Sequence, residues 1–281
     1  MIIVLKGADF SANNIGKVQV TTDLHPYTKA AIDASGNTSL TGEQKSALNE
    51  LFLAMGVDGS NDAMSKMRRV YLPIIAGDVS KALVNYNTTD MIVDKELSEE
   101  YWTLRSNGLV GVKTGQSIEL TENNILKADN FSSFLLRTEK MEAGINDSSY
   151  VITLRGKTNT DLFLGLRQSS VSGNNSFNFG EYGAGWEGFT EKSKDKIKAS
   201  CVVNSKTGFA NNVQGLWTLK DSPKPTTSDM SGETSQTCYV FGLSTVQTTK
   251  PYAVAMIGEA IDTEIAKNIC AKIDALYETF I

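Results

Sequence analysis

From Gly108 to Ile257 short β-prone runs recur, each only a few residues long and each bounded by Gly, Asn or Ser. The runs are Gly108–Val112, Ser117–Leu120, Phe131–Thr138, Tyr150–Arg155, Leu162–Gln168, Ser176–Phe179, Lys196–Asn204, Gln214–Leu219, Cys238–Leu243 and Tyr252–Ile257. Regular short strands with such turns indicate an antiparallel sandwich or barrel. In one run Leu162, Leu164 and Leu166 share a face. The last run leads straight into an amphipathic helix that closes the chain. Asp262 is its N-cap, and Glu264 in the first turn suits the helix dipole. Ile261, Ile265, Ile269, Ile273, Leu276 and Phe280 form a stripe that should lie against protein.

The front of the chain reads differently. Residues 1–37 hold short β-like pieces, Ile2–Leu5 and Val18–Val20, split by Gly7, Asn13-Asn14 and Gly16. They read as an extended arm needing a neighbour to pack on. Thr41-Gly42-Glu43-Gln44 fits a capping box. Ala47, Leu48, Leu51, Phe52 and Met55 then fall on one helical face, and Gly56 stops the helix. A second helix is expected over Asp62–Val70, ended by Tyr71-Leu72-Pro73. Ala76–Leu83 reads as one more short helical turn. The organisation is therefore an arm (1–37), a small helical domain (38–100), and a mainly β C-terminal antiparallel sandwich closed by its helix (101–281), which the resemblance below makes a jelly roll with the helical domain as its docking part.

The 281 residues carry a net charge of −5, which argues against a non-specific nucleic-acid partner. No stretch approaches the roughly 18 apolar residues of a membrane span. The apolar run Ile2–Leu5 is shorter than a secretory signal requires. The expectation is synthesis in a cytoplasm, without a signal peptide and without membrane insertion. Three cysteines at wide spacing, Cys201, Cys238 and Cys270, fit neither a disulfide framework nor a zinc site and read as buried free thiols.

Catalytic chemistry finds little footing. His25 is the sole histidine, so Ser-His-Asp or Cys-His catalysis would have to use it from within a polar segment. Asp58–Asp62 hints at a calcium loop, but Ala63 and Arg69 stand where that loop needs Gly and a carboxylate. Gly183-Ala184-Gly185-Trp186-Glu187-Gly188 matches G-x-G-x-x-G, yet no apolar helical face follows it. It reads as a Gly-rich sandwich loop. No catalytic, cofactor or metal residue is assigned, and a hydrolase using paired carboxylates is the weakest reading. Lys192, Lys194, Lys196 and Lys198 at alternate positions read as protection of an edge strand. Tyr182 and Trp186 offer aromatic faces of the kind that stack on sugars, with Glu181 and Glu187 beside them as acceptors for hydroxyls. Those four are the candidate ligand-binding residues. Trp217 would share a strand face with Leu219 and reads as core.

The stretch from Ser106 to Ile281 resembles the concanavalin-like, laminin-G-like jelly rolls. Phe131–Thr138 looks like their first core strand, Tyr150–Gly156 and Leu162–Leu166 like the next hairpin, and Cys238–Gly242 like a late strand ending in Gly. Ala253-Val254-Ala255-Met256-Ile257-Gly258-Glu259-Ala260-Ile261-Asp262-Thr263-Glu264-Ile265 resembles their strand-to-helix ending. At the front, Leu5–Lys17 is similar to the opening of tail and virion proteins of phages from gut Bacteroidetes. Gln44–Met55 and Met67–Ala76 resemble the segments that follow it there. These resemblances imply a non-enzymatic virion protein of a tailed phage, located in the virion. Its partners would be other virion proteins, further copies of itself in a homo-oligomer, and a host surface glycan. The alternative is a bacterial carbohydrate-binding or surface-adhesion module.

Overall fold

The computed structural model describes residues 23–113, 118–139, 150–158, 163–171, 174–181, 187–190, 197–213, 215–223, 230–241 and 251–281. The β-like pieces Ile2–Leu5 and Val18–Val20 lie outside them.

Two antiparallel sheets and a helical layer stack in three tiers. Helix α1 spans Pro26–Ser35, α2 Gly42–Ala54 and α3 Ala63–Lys66. The strands of the larger sheet are β1 (Met67–Tyr71), β2 (Trp102–Arg105), β3 (Gly108–Gly111), β5 (Phe131–Arg137), β10 (Ser200–Ser205), β11 (Gly208–Val213), β12 (Leu216–Lys220) and β14 (Tyr252–Gly258). They are ordered β12-β11-β10-β5-β14-β3-β2, and β1 also pairs with β14. The second sheet runs β4-β13-β6-β7-β8-β9. Its members are β4 (Ile118–Glu122), β6 (Tyr150–Gly156), β7 (Phe163–Val171), β8 (Asn174–Glu181), β9 (Glu187–Thr190) and β13 (Gln236–Val240). Helix α4, Thr263–Glu278, ends the chain.

The larger sheet is the middle tier, which explains its composition. A sheet buried on both faces needs apolar side chains at consecutive positions rather than alternate ones. Strand β14 is buried at every position, and so is β5. Alternation sorts their side chains between two cores. Leu135, Val202, Ala255 and Ile257 face the second sheet with Ile152, Leu154, Leu164 and Leu166. Phe134, Leu136, Cys201, Val203 and Met256 face the helices with Leu48, Leu51, Phe52, Ile269 and Ile273.

Local signals set the helix ends. Thr41 Oγ1 accepts from the Gln44 N–H at 3.2 Å while Gln44 returns a bond to the Thr41 N–H at 2.9 Å, so the capping box forms. Asp262 accepts from the N–H groups of Glu264 and Ile265, capping α4. Ile269, Ile273 and Leu276 of the stripe are fully buried. Helices α2 and α4 lie antiparallel: Gln44 Nε2 donates to the Thr279 carbonyl, and Lys272 meets Glu50 at 3.1 Å.

Three local expectations change. The helix expected over Asp62–Val70 stops at Lys66, and Met67–Tyr71 is strand β1. The pairing Val70↔Met256 and Tyr71↔Ala255 adds this segment to the sandwich sheet, so tertiary pairing overrides a helical spacing of Met64, Met67 and Val70. Helix α1 occupies Pro26–Ser35, within the segment read as an arm, and Pro26 stands in its first turn, where its missing N–H is harmless. Lys198 does not protect an edge. It precedes β10, an interior strand, and meets Asp274 and Glu278 of α4 at 3.5 and 3.6 Å. Lys192, Lys194 and Lys196 lie outside the described residues. The turn expected in Ala76–Leu83 is a 3-10 turn over Val79–Lys81.

Candidate functional site

The candidate glycan loop joins the last two strands of the smaller sheet. Strand β8 ends at Glu181 and β9 begins at Glu187, with Phe179 opposite Glu187 and Phe177 opposite Phe189. The antiparallel ladder therefore brings Glu181 and Glu187 to the two shoulders of one hairpin. Tyr182 and Trp186 belong to the connection between them, residues 182–186, outside the described residues. On its other side β8 is held by β7, where Glu181 stands opposite Leu164. Leu164 and Leu166 are fully buried between the sheets, so the ladder behind the hairpin is anchored in the core. The G-x-G-x-x-G run leads into a strand, Glu187–Thr190, not into the helix that a dinucleotide site requires.

Trp217 is on β12, the edge strand of the other sheet. It is half-buried against the helical core, with Lys267 Nζ 5.9 Å from its ring centroid. Its partner in the sequence reading, Leu219, is 51 % exposed. A cleft of about 450 Å³ lies near it, between the β11–β12 hairpin and the start of α4, lined among others by Lys66, Phe209, Leu219, Asp262 and Glu264. Lys66 pairs with Asp62 at 2.9 Å, Asp262 caps α4, and Glu264 pairs with Lys267 at 2.6 Å. Those charges serve the fold.

The fold also assembles a cluster that no sequence spacing announces. Arg69 Nη1 lies 2.8 Å from Asp94 Oδ2, and Arg69 Nη2 lies 3.6 Å from Glu122 Oε2. Tyr71 donates its hydroxyl to Asp94 at 2.5 Å. The carboxyl side chains are only 8 % and 11 % exposed. Burial and the adjacent Asp94 charge push the Tyr71 phenol well above its ordinary value, so it stays a donor. Burial also pushes the neighbouring Cys238 thiol up to about 12, although Arg69 opposes that. Two carboxylates are thus brought together, but locked on a guanidinium and away from solvent. The geometry is that of a clamp between β1 and β4, in different sheets.

The remaining candidates have structural duties. His25 caps α1, its Nδ1 accepting from the Tyr27 N–H at 3.2 Å. Asp58 accepts from the Ser60 N–H at 3.0 Å, which holds its side chain in a turn, and the Ser60 hydroxyl together with that N–H keeps its carboxyl below the ordinary value. Among the described residues no group of three or more His, Cys, Asp or Glu is placed to hold a metal ion. Among them, too, no helix is long and apolar enough to cross a membrane.

No protein-family model matches the chain, and no curated protein matches it either. Solved structures do match in fold. Trypanosoma rangeli sialidase, in complex with 2,3-difluoro-KDN, superposes with a TM-score of 0.51 at 11 % identity, over 83 % of this chain and 38 % of that one. Domain 4 of AbnA, a GH43 extracellular arabinanase from Geobacillus stearothermophilus, in complex with arabinotriose, gives 0.43 at 13 % identity, over 73 % of this chain and 98 % of that one. The VIP36 exoplasmic/lumenal domain in its Ca2+-bound form gives 0.35 at 9 % identity, over 70 % and 93 %. The chain spans under two fifths of the sialidase it matches. At these identities the likeness is one of fold: an antiparallel sandwich, with helices on one face.

Proposed function

We propose that the protein is a non-catalytic carbohydrate-binding module, engaging glycan through the β8–β9 hairpin. The observation that carries this reading is the ladder that sets Glu181 and Glu187 on the two shoulders of a connection containing Tyr182 and Trp186. Carboxylates accept hydrogen bonds from sugar hydroxyls, while aromatic faces cover the apolar face of a pyranose. The fold supports the choice of ligand class, since the sialidase of matching fold is complexed with a sugar acid. The non-catalytic part rests on the carboxylates Asp94 and Glu122, which are engaged with Arg69 and shielded from solvent.

The second reading is a virion component that docks through its N-terminal region and assembles with other virion proteins or further copies of itself. The resemblances of Leu5–Lys17 and Met67–Ala76 favour it. It is compatible with glycan contact, because host attachment uses surface sugars. The experiment that tests the first reading is a glycan array probed with the full chain and with Trp186→Ala. Selective binding by the full chain, lost in the variant, is the expected result. Binding to no glycan by a folded wild-type chain overturns it.

A further inference from the structure

We infer that Cys201 and Cys270 form a disulfide-competent pair that ties the terminal helix to the central sheet when the chain folds under oxidising conditions. The placement follows from one hydrogen bond. The Ala199 N–H donates to Asp274 Oδ1 at 2.7 Å, which fixes α4 against the start of β10. Two residues along a strand advance about 6.6 Å, and four residues back along a helix retreat about 6 Å. Cys201, two residues after Ala199, therefore comes level with Cys270, one helical turn before Asp274. Both steps keep their face, because strands repeat every second residue and helices at about every fourth. The Cys270 side chain is among the groups that raise the Cys201 thiol, in keeping with that placement. Both are buried in the core between sheet and helices. Cys238 sits in the other core, so the middle sheet stands between it and the pair.

All three cysteines are free thiols in this structure. Burial and the neighbouring thiol hold Cys201 well above its ordinary titration range, so the folded chain offers almost no thiolate to start an exchange. The bond therefore forms before the helix docks or during an opening of it. The oxidant is a low-molecular-weight disulfide such as oxidised glutathione. One cysteine thiolate attacks it, forming a mixed disulfide and releasing one glutathione thiolate. The second cysteine thiolate attacks the protein sulfur of that mixed disulfide and releases the second glutathione. Two S–H bonds are lost, one protein S–S bond is made, and the oxidant is reduced to two thiols.

The test is refolding of the full chain with oxidised glutathione or with a reductant, followed by alkylation in denaturant and peptide mapping. The oxidised chain should be lighter by two hydrogens before alkylation, carry a Cys201–Cys270 cross-link, and alkylate only at Cys238. It should also melt at a higher temperature than the reduced chain, because the link restricts the unfolded ensemble. Cys238→Ala should keep that difference, while Cys201→Ala and Cys270→Ala should lose it. Recovery of all three thiols from the oxidised wild-type chain overturns the inference. So does a cross-link through Cys238, or an oxidised chain that melts no higher than the reduced one. The wild-type measurements decide the matter even if a variant fails to fold.

Discussion

Arg69 on β1 holds Asp94 at 2.8 Å, and the same guanidinium reaches Glu122 on the facing sheet at 3.6 Å. Glu122 uses its other oxygen to accept the Asn124 N–H at 3.0 Å, so the clamp extends into the turn after β4. Removing the cation leaves two poorly exposed carboxylates without their partner. Breaking a buried pair from one side typically costs about 3–5 kcal/mol. Arg69→Met should lower stability by an amount of that order in urea unfolding. Adding Asp94→Asn should recover part of it, which a double-mutant cycle measures. An Arg69→Met protein as stable as wild type would show that the clamp contributes nothing.

Asp274 makes a pH-dependent prediction. Its carboxyl is raised above the ordinary value of 3.8, chiefly by burial, with the Ala199 N–H and Lys198 opposing. A carboxyl whose folded-state value is raised binds protons more readily folded than unfolded. Its charge therefore costs stability above the folded value, and the cost fades as pH falls through that value towards 3.8. Asp274→Asn retains an acceptor for the Ala199 N–H and removes the charge. It should be at least as stable as wild type at neutral pH, with the difference shrinking on acidification. Asp274→Ala instead strands a buried N–H and should cost about 1–3 kcal/mol. Melting curves of the three proteins across the acidic range check both signs.

The terminal helix gives a packing prediction. Ile269 is fully buried in the core that joins α4, α2 and the central sheet. Ile269→Ala should cost about 2–5 kcal/mol by loss of burial and creation of a cavity. Ile269→Asp should cost more, since its charge would find no partner there. A variant that melts like wild type would mean that the stripe does not pack on the sandwich.

Gly258 tests whether β1 belongs to the sheet. A Cβ at this position would lie 2.4 Å from the Lys66 carbonyl oxygen and 2.5 Å from the Met67 Cα, both backbone atoms that cannot step aside. Gly258→Val should therefore push β1 off the end of β14. Hydrogen exchange should accelerate at Arg69 and Tyr71, the positions of β1 turned towards β14 (the Val70 N–H donates to Asn85), while β10 and β11 keep their protection. Unchanged protection at β1 would contradict the pairing Met67↔Gly258.

Much of the fold was legible because its signals are local. The capping box at Thr41, the N-cap at Asp262 and the stripe Ile269–Ile273–Leu276 are each written within a few residues, and each is present. The long strands β5, β6, β7 and β14 show as apolar runs between turns. Strands β1, β2, β9 and β11 did not, because they are short or polar, and β1 is held by β14, distant in the chain. Asn211 and Asn212 in β11 illustrate this, lying buried in a strand that falls between the β-prone runs of the sequence. The Arg69 clamp and the shared burial of Cys201 and Cys270 between sheet and helix were invisible too. Each joins residues from separate elements whose meeting depends on the finished topology. For the candidate loop, Gly180–Gly188, composition pointed to a Gly-rich sandwich loop, and the pairing of β8 with β9 on either side of residues 182–186 was not legible in it.

The central claim is that glycan binds at the β8–β9 hairpin, and an affinity measurement tests it most directly. The strongest array ligand should be titrated calorimetrically into the wild-type chain, Trp186→Ala and Trp217→Ala, each first shown to melt cooperatively. Loss of a stacking face should weaken binding about tenfold or more in Trp186→Ala. Trp217→Ala, altered where the larger sheet packs on the helices, should bind as wild type does. Equal affinities for wild type and Trp186→Ala, or loss confined to Trp217→Ala, would contradict the account.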